Sequence, residues 1–216
     1  MIRKLIYLPI VIAIILYFYF HNVIFAEGMT SNNYNIVLLG DSVFQNSNYV
    51  PKDKSIEYLL KERVPIHSLV LAQDNATINL LYKQYKNMPT SMNHKNTNLY
   101  ISIGGNDLLS AYENTDVTNN DLFDMIWELY KSTILNISTI TQCNIILTDI
   151  YYITDLSYVK YIPLIKKWNS NIYQFANKKN FDVFKVSKLL TKPQDFTNGI
   201  EPSIIGGTKM VNSFTY

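Results

Sequence analysis

The chain alternates short apolar runs with longer segments whose apolar residues recur every three or four positions. Ile36-Val37-Leu38-Leu39 has strand length, and 55–63 sets Ile56, Leu59 and Leu60 on one helical face. After Pro65, residues 66–72 read as a second strand, and 76–86 as a helix carrying Ile78, Leu81 and Tyr82, closed before Pro89. Residues 99–103 form a third strand, 121–140 a long amphipathic helix, 144–150 a fourth strand and 161–179 another helix. A fifth strand at 182–186 and a short helix at 204–214 complete the pattern. Strands alternating with helices of this length imply βαβ units. The expectation is a doubly wound, flavodoxin-like α/β domain with a parallel sheet of about five strands and helices on both faces. There is no internal repeat and no low-complexity segment.

The N-terminus obeys a different rule. Arg3 and Lys4 precede a nearly unbroken apolar stretch from Leu5 to Phe20, and after His21-Asn22 it resumes from Val23 to Ala26. Basic residues, an apolar segment and a small residue at Ala26 describe a secretory signal peptide. Taken together, 5–26 is also long enough for a membrane-spanning signal anchor with Arg3 and Lys4 on the cytoplasmic side. Both readings stand, and both place the remainder of the chain outside the cytoplasm, either anchored or secreted. A polar linker, 27–35, then leads into one domain at 36–216.

Composition narrows the chemistry. The 216 residues suit one sizeable domain, and a formal charge of +2 without a basic stripe gives no case for nucleic acid. A single cysteine, Cys143, excludes an intrachain disulfide, and its place at the entry to an apolar strand reads as a small buried hydrophobe. There is no Cys/His metal spacing, no phosphate loop and no dinucleotide fingerprint, so neither metal nor cofactor is called for.

Two strand ends carry the candidate chemistry. Gly40-Asp41-Ser42 closes the first strand, where glycine permits a sharp turn and leaves a hydroxyl at the mouth of the sheet. Ser42 there can act as a nucleophile with its own N–H as an oxyanion donor, or it can simply cap a turn. Gly104-Gly105-Asn106-Asp107 closes the third strand. Two glycines let a ligand approach the backbone, and the Asn106 amide is a donor with no proton to lose, which suits a developing oxyanion. The plainer alternative is a polar turn with Asp107 capping a helix.

These residues resemble the SGNH, or GDSL-type, serine hydrolases and esterases, and the resemblance runs over the whole soluble domain. It implies the SGNH hydrolase fold and cleavage of an ester or acyl group, on a small molecule, a lipid or a glycan, without a cofactor. It also implies Ser42 as nucleophile and an oxyanion hole made by Ser42 N–H, Asn75 N–H and the Asn106 side chain. Gly40, Asp41, Gly104, Gly105 and Asp107 shape that site. Asn75, in Leu71-Ala72-Gln73-Asp74-Asn75-Ala76-Thr77, stands where the family has glycine, and asparagine is the next best residue at positive φ. Asn75 and Asn136 both head glycosylation sequons, and a glycan on Asn75 would block the site, so that sequon is expected to be unused.

The last family block differs. In place of Asp-x-x-His stands Asn198-Gly199-Ile200-Glu201, followed by Pro202-Ser203 and Gly206-Gly207. This ending resembles a bacterial branch of the family that carries the same glutamate. A free Glu is about two pK units less basic than a free His, roughly 3 kcal/mol of proton-transfer driving force. Burial would recover part of it. Asn198 could donate to the carboxylate as Asp accepts from His. Glu201, held by Asn198, is therefore the candidate base, and a binding module that no longer hydrolyses is the alternative. The three histidines offer no substitute: His21 lies by the apolar segment, and His67 and His94 enter strands at the wrong end of the sheet.

Overall fold

The computed structural model describes residues 34–63, 68–113 and 115–214. The N-terminal signal or anchor, His21, Pro65 and His67 fall outside these residues. Among the described residues no helix is long and apolar enough to cross a membrane.

The elements in chain order are β1 (Asn35–Gly40), α1 (Ile56–Arg63), β2 (Ser68–Val70), α2 (Ile78–Lys86) and β3 (Thr97–Ser102). Then come α3 (Gly105–Tyr112), α4 (Asn120–Ser138), β4 (Asn144–Thr148), α5 (Ile162–Lys179) and β5 (Asp182–Phe184). A one-turn α6 (Val186–Leu189), the two-residue strands β6 (Phe196–Thr197) and β7 (Glu201–Pro202), and α7 (Ile204–Ser213) complete the chain. Strands β1 to β5 form one sheet in the order β2-β1-β3-β4-β5, with every pairing parallel. All six residues of β3 are buried, as a strand with both faces covered requires. Helix α1 packs with α7, and α2 with α4. The α/β doubly wound architecture expected from the periodicity is therefore present.

The differences are local. The second strand stops at Val70 rather than Ala72, residues 66 and 67 lying outside the described ones, and the fourth ends at Thr148, where Asp149 and Ile150 turn off. No helix directly succeeds Ser42. Residues 41–50 instead form turns, with the Asp41 carbonyl accepting from both Phe44 N and Gln45 N at 3.1 Å. Asn, Ser and Gln here, ahead of Pro51, favour turns over helix. Helix α3 has no counterpart among the expected elements, because it begins inside the Gly-Gly-Asn-Asp motif, where glycines hide the helical signal. Cys143 is half-buried, with Sγ 3.4 Å from the Met92 carbonyl, rather than fully enclosed.

This strand order reverses direction at β1 and β3, and an open α/β sheet binds ligands in the crevice at that switch point. Gly40 pairs with Ser102 there, so the two candidate motifs leave the sheet side by side. Gly40 holds φ +133° so close to β3 that a Cβ would stand 1.7 Å from the Ser102 carbonyl oxygen. Buried Gln84 of α2 clamps the same residue from the other side. Its Oε1 accepts from Gly40 N at 2.7 Å and its Nε2 donates to Gly40 O at 2.8 Å. Gln84→Leu keeps the volume but strands the buried Gly40 N–H, at about 1–3 kcal/mol, whereas the Gly40 carbonyl still accepts from Gln73 N at 3.0 Å. The expected loss of about 1–3 kcal/mol is read from urea denaturation, and the backbone ahead of Ser42 loses its anchor.

Candidate active site

The first side of the site is built from β1. Leaving Gly40, the chain turns at Asp41, whose Oδ1 accepts from Val43 N at 3.1 Å, and presents Ser42 at the crevice. Ser42 N–H has no acceptor among the described residues, so it is free to bind an anion. Buried Asn46 ties this loop to two other elements. Its Oδ1 accepts from Ile56 N at 2.9 Å, and its Nδ2 donates to the Pro202 carbonyl at 3.2 Å. The Ser42 loop and the strand carrying Glu201 are thus joined through one amide.

The second side comes from β3. Gly104 turns at φ +110°, where a Cβ would collide with the Trp168 ring at 2.3 Å, and α3 starts at Gly105. Asn106 lines the crevice and donates one amide N–H to the Ala76 carbonyl at 3.0 Å, leaving the second for a ligand. Asp107 does not cap its own helix. Both its oxygens accept from Ile78 N, at 3.3 and 3.1 Å, so it holds the first residue of α2 instead. Asn75 adopts the positive φ, 57°, expected of a residue standing in for glycine, and its N–H has no acceptor among the described residues. It is exposed on the loop before α2, and the cavity lining includes Ser42 and Asn106 but not Asn75.

The third side is the β6–β7 hairpin, which delivers Glu201. Ser42 Oγ donates to Glu201 Oε1 at 3.1 Å, and both residues are buried. The sequence expectation for Asn198 does not hold. Asn198 sits exposed in the hairpin turn with φ 51°, followed by Gly199 at φ +78°, and it donates nothing to Glu201. Glu201 Oε2 is buried and has no hydrogen-bond partner among the described residues. So tight a turn needs left-handed backbone, and asparagine supplies it, so residue type at this position answers to the turn rather than to the carboxylate.

Other residues position Glu201. Asp195, fully buried, accepts from Thr191 N at 2.9 Å, from Lys192 N at 3.0 Å and from Lys209 Nζ at 2.6 Å, pinning the hairpin's base to α7. Ser203 caps α7, accepting from Gly206 N at 3.2 Å. Gly206 is required because a Cβ would stand 2.2 Å from the Asp195 carbonyl oxygen. On the other flank the Tyr151 hydroxyl donates to the Ile200 carbonyl. Asn169 of α5 clamps the backbone of Ile150 as Gln84 clamps Gly40, accepting from its N–H at 2.8 Å and donating to its carbonyl at 2.6 Å. From the sequence Gln84 and Asn46 do not stand out, and Asn169, beside Trp168 on its helix, has no assigned role. Gln84 and Asn169 had a signal, a polar residue inside the apolar stripe of a helix, whereas Asn46 lies in a polar loop with none.

Ser42, Glu201, Asp41 and Asn106 border a cavity of about 60 Å³ whose remaining walls are mostly apolar, with Ile103, Leu108, Tyr161, Leu164 and Ile165 among them. No lysine, arginine or histidine lines it. His94, the only histidine among the described residues, stands at the far end of the sheet, 3.0 Å from Asn35 Nδ2. Burial raises the Glu201 carboxyl above its ordinary range; the Ser42 hydrogen bond pulls it down and the Asp74 charge pushes it further up. Burial pushes the Asp41 carboxyl up to about 8, against the Val43 hydrogen bond and with help from the Glu201 and Asp107 charges. Among the described residues no group of three or more His, Cys, Asp or Glu is placed to hold a metal ion.

No protein-family model and no curated protein matches the sequence. Solved structures do share the fold. A member of the lipolytic protein G-D-S-L family from Veillonella parvula is 16% identical, with a TM-score of 0.66 over 83% of this chain and 94% of its own. A psychrotrophic esterase from Pseudoalteromonas is 15% identical, with a TM-score of 0.59 over 82% of this chain and 92% of its own. An acetylxylan esterase from Geobacillus stearothermophilus, 15% identical, has a TM-score of 0.59 over 83% of this chain and 91% of its own. At these identities the likeness establishes the SGNH/GDSL hydrolase fold.

The geometry sets two titrations. Ser42→Ala removes the hydrogen bond that favours the Glu201 carboxylate, so Glu201 titrates at higher pH in the variant, as seen by carbon NMR of its labelled carboxyl. The raised Asp41 carboxyl holds its proton in the folded chain well above its ordinary 3.8. Its contribution to stability is therefore complete below that value and is lost as the pH rises through about 8. Asp41→Asn removes that loss, so the variant gains stability over the parent progressively across this range in denaturation measured at each pH.

Proposed function

We propose that this chain is a serine hydrolase that cleaves an ester or acyl group with Ser42 as nucleophile and Glu201 as general base. The observation that carries the reading is the 3.1 Å hydrogen bond from Ser42 Oγ to Glu201 Oε1, inside a crevice at the switch point of the sheet. A scaffold that had ceased to hydrolyse would have no need to keep a buried, partly unpartnered carboxylate against that hydroxyl. Burial raises the basicity of Glu201 and so narrows the gap separating carboxylate from imidazole.

In this mechanism Glu201 takes the Ser42 proton as Oγ attacks the carbonyl carbon. The free Ser42 N–H and the second N–H of Asn106 stabilise the oxyanion, with the unbonded Asn75 N–H as a third donor. The apolar walls at Ile103, Leu164 and Ile165 receive the acyl group. A cavity of about 60 Å³ is several times the roughly 10–15 Å³ that one water requires, a size for short acyl chains. The presence of esterases among structures of the same fold accords with this reading. The substrate is proposed to be an acylated small molecule, lipid or glycan, met outside the cytoplasm by a chain that the N-terminal segment either anchors or exports.

Residues 30–216 are expected to hydrolyse p-nitrophenyl butyrate and to be labelled on Ser42 by a fluorophosphonate. Ser42→Ala abolishes both, and Glu201→Gln lowers kcat/KM by about 10²–10⁴-fold. Absence of turnover at every pH, with Ser42 unlabelled, would refute the hydrolase in favour of a ligand-binding module.

A further inference from the structure

We propose that Asp41 is a second catalytic residue, the acid that gives a proton to the leaving oxygen while Glu201 serves Ser42. The proposal rests on the hydrolase reading above. Its first ground is position. Asp41 precedes the nucleophile, is 5% exposed, and borders the same cavity as Ser42 and Glu201. Its carboxyl is held by the Val43 N–H on Oδ1. Its other oxygen, Oδ2, points toward Gly105, 4.0 Å from where a Cβ there would stand. Gly105 also lines the cavity, so no side chain from that residue covers the oxygen.

The second ground is the company it keeps. Glu201 from β7 and Asp149 and Tyr151 from the segment after β4 border the same cavity, the Asp107 charge acts on Asp41 from α3, and no cationic side chain lines the cavity. Several buried acids without a cation cannot all ionise, and the least solvated keeps its proton. Burial drives Asp41 up to about 8, so near neutral pH it is a carboxylic acid with a proton to give. Two carboxyls in one site, one buried enough to keep its proton and the other bonded to the Ser42 hydroxyl, can divide the acid and base roles.

The third ground is Glu201 itself. Its Oε2 is enclosed and its Oε1 is bonded to Ser42, so it offers the reaction a single oxygen. In acylation the Ser42 proton passes to Glu201 as Oγ bonds to the carbonyl carbon. The carbon–oxygen bond to the alcohol then breaks, and the alcohol oxygen takes its proton from Asp41. Glu201 is now protonated and Asp41 ionised. In deacylation water attacks the acyl carbon and gives a proton to Asp41. The bond to Oγ breaks, and Ser42 recovers its proton from Glu201. Both carboxyls return to their starting states, and the sum is ester plus water to acid plus alcohol.

Leaving-group dependence tests this. p-Nitrophenolate departs without a proton, whereas an alkoxide does not. Asp41→Asn, nearly isosteric, is expected to lower kcat/KM on ethyl butyrate about 10²-fold or more beyond its effect on p-nitrophenyl butyrate. Ethyl butyrate turnover by the parent chain should also fall as the pH rises through about 8, and p-nitrophenyl butyrate turnover should not. Equal losses on both esters would overturn the role of Asp41 and leave the hydrolase intact. A parent chain inactive on both, with Ser42 unlabelled, would instead overturn the hydrolase and Asp41 with it. Should Asp41→Asn fail to fold, as judged by loss of fluorophosphonate labelling, the parent chain's dependence of kcat/KM on leaving-group pKa decides. A shallow slope across alkyl and aryl butyrates supports the acid, and a steep one rejects it.

Discussion

Gly40 is gripped between two elements, and the rest of the site is arranged around that grip. On one side it lies against β3 so tightly that no side chain would fit, and on the other the Gln84 amide satisfies both of its backbone groups. The Gly40 N–H has no other partner among the described residues, and left bare at a buried strand end it would cost about 1–3 kcal/mol. The amide removes that cost and fixes where Ser42 emerges. Asn169 repeats the device one wall away, on Ile150, and Asn46 extends it to the loop and hairpin. Buried amides suit the task because each carries donor and acceptor together.

The same rigidity holds the Glu201 carboxylate against the Ser42 hydroxyl. Glu201 needs no asparagine to orient it. The hairpin's base is locked by Asp195 and Lys209, its tip by Tyr151, and its strand by the amide of Asn46. What remains around the Ser42 hydroxyl is acid against apolar wall. Burial works in the same direction on Glu201 and Asp41, raising both above the ordinary carboxyl range.

Much of the fold was legible because its signals are local. Alternating apolar runs and amphipathic stretches give strands and helices by period alone, and β1, β3, β4, α4, α5 and α7 fall close to the expected bounds. What was not legible lay where glycine or short length weakens the period. Helix α3 starts inside Gly-Gly-Asn-Asp, β2 stops at Val70, and β6 and β7 have two residues each. Asn198 shows a different limit. Its place three residues ahead of Glu201 fits a catalytic partner and a hairpin turn equally well, and only the positive φ and the exposed side chain separate them.

The sequence by itself therefore determined the class of fold, the two strand-end turns and the candidate residues Ser42, Asn106 and Glu201, since each depends on neighbours within a few positions. The tertiary structure alone decided which of them meet. Ser42 and Glu201 are 159 residues apart along the chain, yet they share a hydrogen bond because strand order and hairpin packing bring them together. It also decided the ionisation of Asp41, since burial and neighbouring charge are properties of the folded site and not of a residue type.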